Sequence, residues 1–263
     1  VEEEYIETVL KEWKLYMAFL HEKPIIKELH LGGGTPTFFS KENLQFLMNG
    51  IFSSAEKHPE HEFSFEGHPN NTTKEQLQTL FDCGFTRVSF GVQDYNEKVQ
   101  KAIHRIQPFE AVEQVTKWSR EIGYTSVSHD LIFGLPFQTK ENVIHTINKT
   151  KELQPDRISF YSYAHVPWVK GVGQRGFNEN DLPKDEEKRA LYEKKQCIYS
   201  VRNSGNFFSN ICFEEMSNEP SLAIKFSHVV KKKVESLILD EGLMFEFLNL
   251  SSKFLSNNKT FGN

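Results

Sequence analysis

The sequence predicts an α/β fold in which parallel strands alternate with helices. Three observations favour it: short β-type runs alternate with helical patterns, the runs have a period-two pattern, and helix-capping residues stand between them. The chain of 263 residues, with 38% hydrophobic and 25% charged residues, has the composition of an ordinary globular protein. We expect one large domain rather than a disordered chain.

The first element is a helical pattern. Its apolar residues fall on one stripe: Tyr5, Ile6, Val9, Leu10, Trp13, Met17 and Leu20. The sequence begins at Val1, without an initiator Met, and enters this helix directly. We therefore expect that an N-terminal segment is missing.

Five strands come after the first helix. They are predicted at 27–32, 62–67, 87–93, 126–133 and 157–164. Helix starts and ends separate them, and the residues that signal these boundaries are Ser40, Thr73 with Gln76, Gly84, Pro108, Gly123, Thr139 and Pro155. Each strand is thus followed by a helical crossover, as in a parallel sheet.

Side chains on the two faces of these strands differ in kind. One face is predicted to be apolar: Phe63, Phe65, Val88, Phe90, Val92, Val127, Leu131, Phe133, Ile158 and Phe160. The other is small or polar: Glu28, His30, Glu62, Ser64, Glu66, Arg87, Ser89, Gly91, Gln93, Ser128, Asp130, Ser159, Tyr161 and Tyr163. An ordinary barrel fills its interior with branched apolar side chains, so this interior is expected to hold a large polar ligand. An open sheet with one wet face is the alternative.

Reactive groups in such folds gather at the carboxyl ends of the strands. Five strand ends carry candidates: Gly32-Gly33-Gly34-Thr35-Pro36-Thr37, Glu66, Gln93-Asp94, Asp130 with Gly134-Leu135-Pro136, and Ala164-His165. Glycines permit close backbone approach, and their exposed amides can bind a charged or polar group. A glycine turn alone more often only connects two elements.

Several strings in the sequence together resemble one enzyme family. LHLGGGTPT is similar to the glycine-rich motif of radical S-adenosylmethionine enzymes. RVSFGVQDYN, HRIQ and HDLIFGLPFQT come next, in the order found in the branch of coproporphyrinogen oxidases and haem chaperones, and ISFYSYAHVPWVKGVGQR resembles the oxygen-independent coproporphyrinogen III oxidases. The resemblance covers 1–193 and implies an incomplete radical SAM (β/α)6 partial TIM barrel without its first strand.

The resemblance also implies which residues bind S-adenosylmethionine. They are Gly33, Gly34, Thr35, Glu66, Gln93, Arg105, Asp130 and Ala164. A zwitterionic sulfonium ligand needs carboxylates for its positive groups and a cation for its carboxylate, in agreement with this set. Taken singly, Glu66 or Asp130 could be a solvated strand-end carboxylate and Arg105 an exposed helix residue.

In this family a [4Fe–4S] cluster, held by a CxxxCxxC loop, reduces S-adenosylmethionine to a radical that removes hydrogen from a propionate. Carbon dioxide leaves, and coproporphyrinogen III becomes protoporphyrinogen IX. The implied partners are this tetrapyrrole and an unidentified electron donor. Candidate propionate anchors are Arg157, Lys170 and Arg175, and His165, Trp168 and Gln174 could line the same cavity. No catalytic residue is assigned.

The cysteines do not match the family. Cys83, Cys197 and Cys212 are too scattered to ligate a cluster, so no metal ligand is predicted in this chain. Residues 194–263 match nothing recognisable and are expected to be partly helical, near 222–239, or disordered. A gene-model error and a divergent domain both remain open for this tail.

Charge and hydropathy limit the partners. The formal charge of −5 is spread along the chain, which argues against a nucleic-acid partner, and no apolar run could span a bilayer. We expect a monomeric cytoplasmic protein. A haem-trafficking chaperone is a competing interpretation that YSYAHVPW disfavours, and a non-catalytic binding remnant is another.

Overall fold

A computed structural model of the chain describes residues 2–166, 177–195 and 244–246. The helices are α1 (Glu2–Met17), α2 (Lys41–Phe52), α3 (Lys74–Asp82), α4 (Glu97–Ala102), α5 (Phe109–Ile122), α6 (Lys140–Glu152) and α7 (Asp185–Tyr192). The strands are β1 (Ile25–Leu31), β2 (Glu56–Gly67), β3 (Phe85–Gln93), β4 (Ser126–Phe133), β5 (Arg157–Ser162) and β6 (Met244–Glu246).

The strands form one sheet with the order β5-β4-β3-β2-β1-β6. β1 pairs with β2 and with β6, and β4 pairs with β5, each time in parallel. The chain divides into two compact units, and the division falls within β3. Among the described residues, unit 1 comprises 2–88, 121–125 and 244–246, and unit 2 comprises 89–120, 126–166 and 177–195.

The period-two pattern of the strands is confirmed. All ten predicted apolar-face residues are buried, and the polar-face residues are half-buried or exposed. One further residue lies on the buried face of β4, because His129 occupies the position between Val127 and Leu131 and is 0% exposed. The prediction of a continuously apolar face was therefore wrong at this position.

The core of unit 1 is rich in phenylalanine. Phe63, which is fully buried, lies with ring centroids 5.7 Å from Phe52 and 5.5 Å from Phe85. Trp13 of α1 is buried and donates its indole N–H to Ser54 Oγ at 2.9 Å, just after α2. Packing of α1 on α2 thus uses the predicted apolar stripe, although Tyr5 remains 48% exposed.

The predicted helix boundaries agree with the structure. Ser40 caps α2 by accepting a hydrogen bond from the Asn43 N–H, and Thr73 with Gln76 forms a capping box on α3. Thr139 caps α6 in the same way. Each cap occupies backbone N–H groups that the first helical turn leaves without intrahelical partners.

The core of unit 2 is aliphatic and aromatic. Its buried members are Val92, Val112, Leu131, Phe133, Val143, Ile147, Ile158, Phe160 and Leu191. Leu191 comes from α7, so this helix contributes to the same core as β4 and β5. Helix α4 was not predicted from the sequence.

Several expectations concern residues outside the described part of the chain. They are the substrate-site candidates Trp168, Lys170, Gln174 and Arg175, the cysteines Cys197 and Cys212, and the helix near 222–239. Within the described residues, no helix is both long and apolar enough to traverse a bilayer.

Candidate functional site

The glycine-rich segment after β1 forms an exposed turn in unit 1. Gly33 has φ 96° and Thr35 has φ 116°, a conformation that glycine adopts freely and that threonine rarely adopts. Gly33 and Gly34 are exposed, and a side chain built on Gly34 would meet nothing within 4 Å. The backbone here is open to a ligand, as the motif predicts.

Two buried polar side chains hold this turn in place. Gln76 donates its side-chain N–H groups to Thr37 O at 3.0 Å and to Phe39 O at 2.7 Å. The Thr72 hydroxyl donates to Thr37 Oγ1 at 3.0 Å. Hydrogen bonds to Thr37 and Phe39, two and four residues further along the chain, therefore help to maintain the strained conformation at Thr35.

Glu66 lies beside the same turn. Its Oε1 is 3.6 Å from His30 Nε2, and His30 Nδ1 is 2.8 Å from Ser64 Oγ. A side chain on Gly32 would come within 2.8 Å of His30 Nε2 and 3.2 Å of Glu66 Oε1. An added side chain at Gly32 would therefore displace His30 where these two side chains cross the end of β1. Unit 1 contributes one partly exposed carboxylate beside open backbone amides.

Two of the predicted residues of unit 2, Gln93 and Arg105, form a second group around Gly91. A methyl group built on Gly91 would lie 2.7 Å from Gln93 Nε2 and 2.8 Å from Arg105 Nη2. Arg105 also donates from Nη2 to Gly91 O at 3.0 Å. The absence of a side chain at Gly91 therefore creates the space that the amide and the guanidinium occupy together. We call this arrangement the Gly91 cradle.

Two polar atoms of the Gly91 cradle lack hydrogen-bond partners. Gln93 Oε1 and Arg105 Nε are both buried and unpaired among the residues that the structure describes. A buried donor or acceptor without a partner costs about 1–3 kcal/mol, so such atoms mark a place for a ligand or water. Burial lowers the pKa of Arg105, and the nearby Asp130 carboxylate opposes this shift.

Asp130 is the carboxylate of this second group. Its Oδ2 accepts a hydrogen bond from the Ser89 hydroxyl at 2.7 Å. Asp130 and Ser89 both belong to the predicted polar face and are half-buried. Unit 2 therefore brings together a cation, an amide oxygen and a carboxylate, a set suited to a ligand that carries both charges.

Asp94, which follows Gln93, is not exposed to a ligand but is hydrogen-bonded inside the fold. It is 0% exposed, and its two oxygens accept from Asn96 N at 2.6 Å and from Gln138 Nε2 at 2.6 Å. Burial raises the pKa of Asp94, against the effect of these hydrogen bonds. Gln138 also accepts from Gly134 N at 2.7 Å, so this pair ties the end of β3 to the turn after β4. Asp94 was a strand-end candidate in the sequence, and its burial was not foreseen.

The residues after β5 are arranged around Tyr163. Ala164 is exposed, and Lys188, which sequence reasoning missed, donates its ammonium to Tyr163 O at 2.8 Å. His165 packs against Phe177 with centroids 5.9 Å apart, and its Nε2 is 3.7 Å from Glu179 Oε1.

Arg157 does not join the other candidates of unit 2. It begins β5 and thus lies at the opposite end of this strand from Ala164. Its position does not support a role as a propionate anchor.

The residues present fit one of the two expected cofactors. Within unit 1, the open amides and the Glu66 carboxylate are groups of the kinds that S-adenosylmethionine requires, and the Gly91 cradle within unit 2, taken by itself, also supplies such groups. A [4Fe–4S] cluster does not fit the described residues. Cys83 is their free cysteine and is buried, and within them no group of three His, Cys, Asp or Glu side chains could hold a metal ion.

Comparisons with known proteins agree with the fold and with the motifs. Residues 2–150 match the Radical SAM superfamily. The oxygen-independent coproporphyrinogen III oxidase of Helicobacter pylori (strain ATCC 700392 / 26695) is 45% identical over 192 residues, which are 72% of this chain and 41% of that protein. The protein of the same name from Escherichia coli (strain K12) is 36% identical over 185 residues, which are 68% of this chain and 40% of that protein.

A solved structure is similar as well. The coproporphyrinogen III oxidase from Escherichia coli, a radical SAM enzyme, superposes with a TM-score of 0.72 at 33% identity, over 76% of this chain and 46% of that one. The chain spans about two-fifths of the length of the curated relatives that it matches. These matches confirm the predicted α/β fold class with parallel strands and the resemblance to the oxidases. The chain belongs to the radical SAM superfamily.

Proposed function

We propose that this chain is the S-adenosylmethionine-binding part of an oxygen-independent coproporphyrinogen III oxidase. The reaction would be the oxidative decarboxylation of coproporphyrinogen III to protoporphyrinogen IX in haem synthesis, in the cytoplasm and without oxygen. Relatives of that name support the proposal. The observation that carries it is the Gly91 cradle, where Gln93 Oε1 and Arg105 Nε are buried and have no hydrogen-bond partner within the described part of the chain.

Each residue of the site has a separate task in this proposal. Backbone amides of Gly33, Gly34 and Thr35 and the carboxylate of Glu66 bind the methionyl end, where Glu66 attracts the ammonium. Arg105 neutralises the ligand carboxylate, Gln93 and Asp130 accept hydrogen bonds from other polar groups of the ligand, and the backbone at Ala164 contacts it after β5. Once bound, S-adenosylmethionine supplies the reactive 5′-deoxyadenosyl group.

The remaining assignments belong to the same proposal. Residues 1–193 form the partial barrel and residues 194–263 a separate segment. The substrate is coproporphyrinogen III, an unidentified donor supplies the electrons, and the chain acts as a monomer without a nucleic-acid or membrane partner. His165 lies close to Phe177 and could border the tetrapyrrole site.

Binding of S-adenosylmethionine to the purified chain tests this proposal directly. Glu66→Gln and Asp130→Asn keep the size of each side chain and remove its charge. We expect each to raise the Kd about tenfold, because a hydrogen bond to a charged group contributes about 1.5 kcal/mol or more. Isothermal titration calorimetry under one buffer and salt condition measures the change.

Glu113→Gln is the matched control for these two variants. Glu113 is exposed on α5 and contributes to neither residue group of the site. Its Kd should equal that of the wild type. Absence of S-adenosylmethionine binding by the wild-type chain would contradict the proposed function, and equal Kd values for all four proteins would contradict the residue assignments.

A second candidate function is a non-catalytic binding protein. It concerns these 263 residues taken by themselves, whose three cysteines form no CxxxCxxC loop and so supply no ligand set for the cluster. We expect that anaerobic incubation of the 263-residue chain with iron and sulfide gives no cluster absorption. The Escherichia coli relative, treated in parallel, should give that absorption.

The oxidase and the binding protein differ in cluster formation and in product. Cluster formation together with cleavage of S-adenosylmethionine would contradict the expectation and leave only the oxidase. A chain that binds S-adenosylmethionine or coproporphyrin, but forms no cluster, would fit the binding protein. Product formed under reducing, anoxic conditions would exclude the binding protein.

A further inference from the structure

Arg105 of the Gly91 cradle lies in a short turn after α4, residues 103–107, which we call the Arg105 turn. The side chain of Gln100 joins the end of this turn to α4. Its Oε1 accepts from Gln107 N at 3.0 Å, and its Nε2 donates to Gln107 O at 2.7 Å. The same Nε2 donates to Asp94 O at 2.8 Å. Gln100 is 6% exposed, so these bonds form away from water.

Gln107 continues the connection toward the site. It is 1% exposed, and its Nε2 donates to Gly91 O and to Val92 O, both at 3.3 Å. Gly91 O is also the acceptor for Arg105 Nη2. The two glutamines thus fix the Arg105 turn to the carbonyl against which the guanidinium rests.

The backbone of Arg105 is held as well. Its N–H donates to Gln100 O at 2.9 Å, and His104 before it has φ 53°, a conformation that is unfavourable for a residue other than glycine. Without the side-chain hydrogen bonds of Gln100 and Gln107, only backbone hydrogen bonds to α4 would oppose a change in this geometry. Arg105 would then lose its position over Gly91, although nothing that touches the ligand had changed.

We propose that Gln100 and Gln107 are positioning residues that hold Arg105 ready for the carboxylate of S-adenosylmethionine. The inference rests on the proposed function and deepens it. Holding the Arg105 side chain in place before the ligand binds should increase affinity. A flexible arginine would lose rotamer freedom on binding, and this loss of entropy weakens affinity. The effect should be confined to ligands that carry the carboxylate.

The test compares two ligands on the whole chain. S-adenosylmethionine carries the carboxylate, and decarboxylated S-adenosylmethionine is the same sulfonium without it. We expect Gln100→Ala to raise the Kd for the first about tenfold, and to leave the Kd for the second within about twofold, by titration calorimetry. Gln78→Ala removes an exposed glutamine from α3 and should leave both values unchanged.

Each outcome decides between the two proposals. A wild-type chain that binds neither ligand overturns the proposed function and this inference together. Wild-type binding with an unchanged Gln100→Ala, or an equal loss for both ligands, overturns the inference alone. If circular dichroism shows that Gln100→Ala is unfolded, Gln107→Leu replaces it, because that variant removes only the donors to Gly91 O and Val92 O.

Discussion

Gly91→Ala is expected to raise the Kd for S-adenosylmethionine about 100-fold while the protein stays folded. The added methyl group would lie 2.7 Å from Gln93 Nε2 and 2.8 Å from Arg105 Nη2, so both groups must move. Both are the ends of flexible side chains, and alanine is tolerated in a strand at least as well as glycine. The substitution is therefore mild for the fold and severe for the site.

The size of the effect depends on the two contacts that are lost. Each hydrogen bond involving a charged group contributes about 1.5 kcal/mol or more, and two such losses correspond to about a 100-fold rise in Kd. Equilibrium dialysis with labelled S-adenosylmethionine measures the Kd, and thermal unfolding followed by circular dichroism reports the fold.

Ser126→Ala serves as the control for Gly91→Ala. This variant also introduces an alanine, at the amino end of β4. β4 is the strand next to β3, and Ser126 belongs to the same unit as the Gly91 cradle. Its Kd should match that of the wild type. A Gly91→Ala protein that binds within about threefold of the wild type would contradict the assignment of the cradle as a ligand site.

The strands could be predicted from sequence because their pattern is local. β4 was predicted at 126–133 and is observed as Ser126–Phe133. β2 is longer than the predicted 62–67, since it begins at Glu56. Its first residues carry no apolar alternation and are held by pairing with β1, where Ile25 lies opposite Glu56. Such pairing depends on a neighbouring strand and leaves no local signal.

The contacts of the site required the structure. The family resemblance of the strings HRIQ and RVSFGVQDYN indicated Arg105 and Gln93 as site residues. No periodicity in the sequence, however, predicts that Arg105 lies beside Gly91. That approach depends on Gln100 and on a helix of six residues, α4, whose short pattern has little predictive weight. The positive φ of 65° at Gln93 also could not be predicted from the sequence.

His129 shows the same limit within a well-predicted strand. Period two puts it on the buried face of β4, and yet histidine is a polar residue. The structure resolves the conflict with a single contact: His129 Nε2 is 2.9 Å from Thr116 Oγ1 on α5, and both residues are buried. A neutral imidazole leaves only Nδ1 of this ring without a hydrogen-bond partner among the described residues, whereas an imidazolium would be a buried charge.

This burial predicts a steep loss of stability in mild acid. Burial, and secondarily the charge of Arg120, lowers the pKa of His129 from 6.5 to about 3. Above the unfolded value the ring is neutral in both states. Between 6.5 and about 3 only the unfolded chain binds the proton, so the free energy of unfolding falls as the pH falls. The slope approaches about 1.4 kcal/mol per pH unit.

The measurement is urea unfolding of the wild type and of His129→Gln at neutral pH and near pH 4.5. Glutamine keeps a polar partner for Thr116 and does not titrate. We expect the wild type to lose about 2–3 kcal/mol more than the variant across this interval. Exposed carboxylates with lowered pKa values, such as Glu75 and Glu97, affect both proteins equally and cancel in the difference.

A second histidine variant completes the comparison. His21 is exposed just after α1, so His21→Gln removes an imidazole without changing the interior of β4 and serves as the control. If the curve of unfolding free energy against pH for His129→Gln were parallel to that of the wild type, the His129 imidazole would not be kept neutral in the folded state. The buried position of β4 would then tolerate a charge, and the packing of α5 against this strand would have to open to admit water.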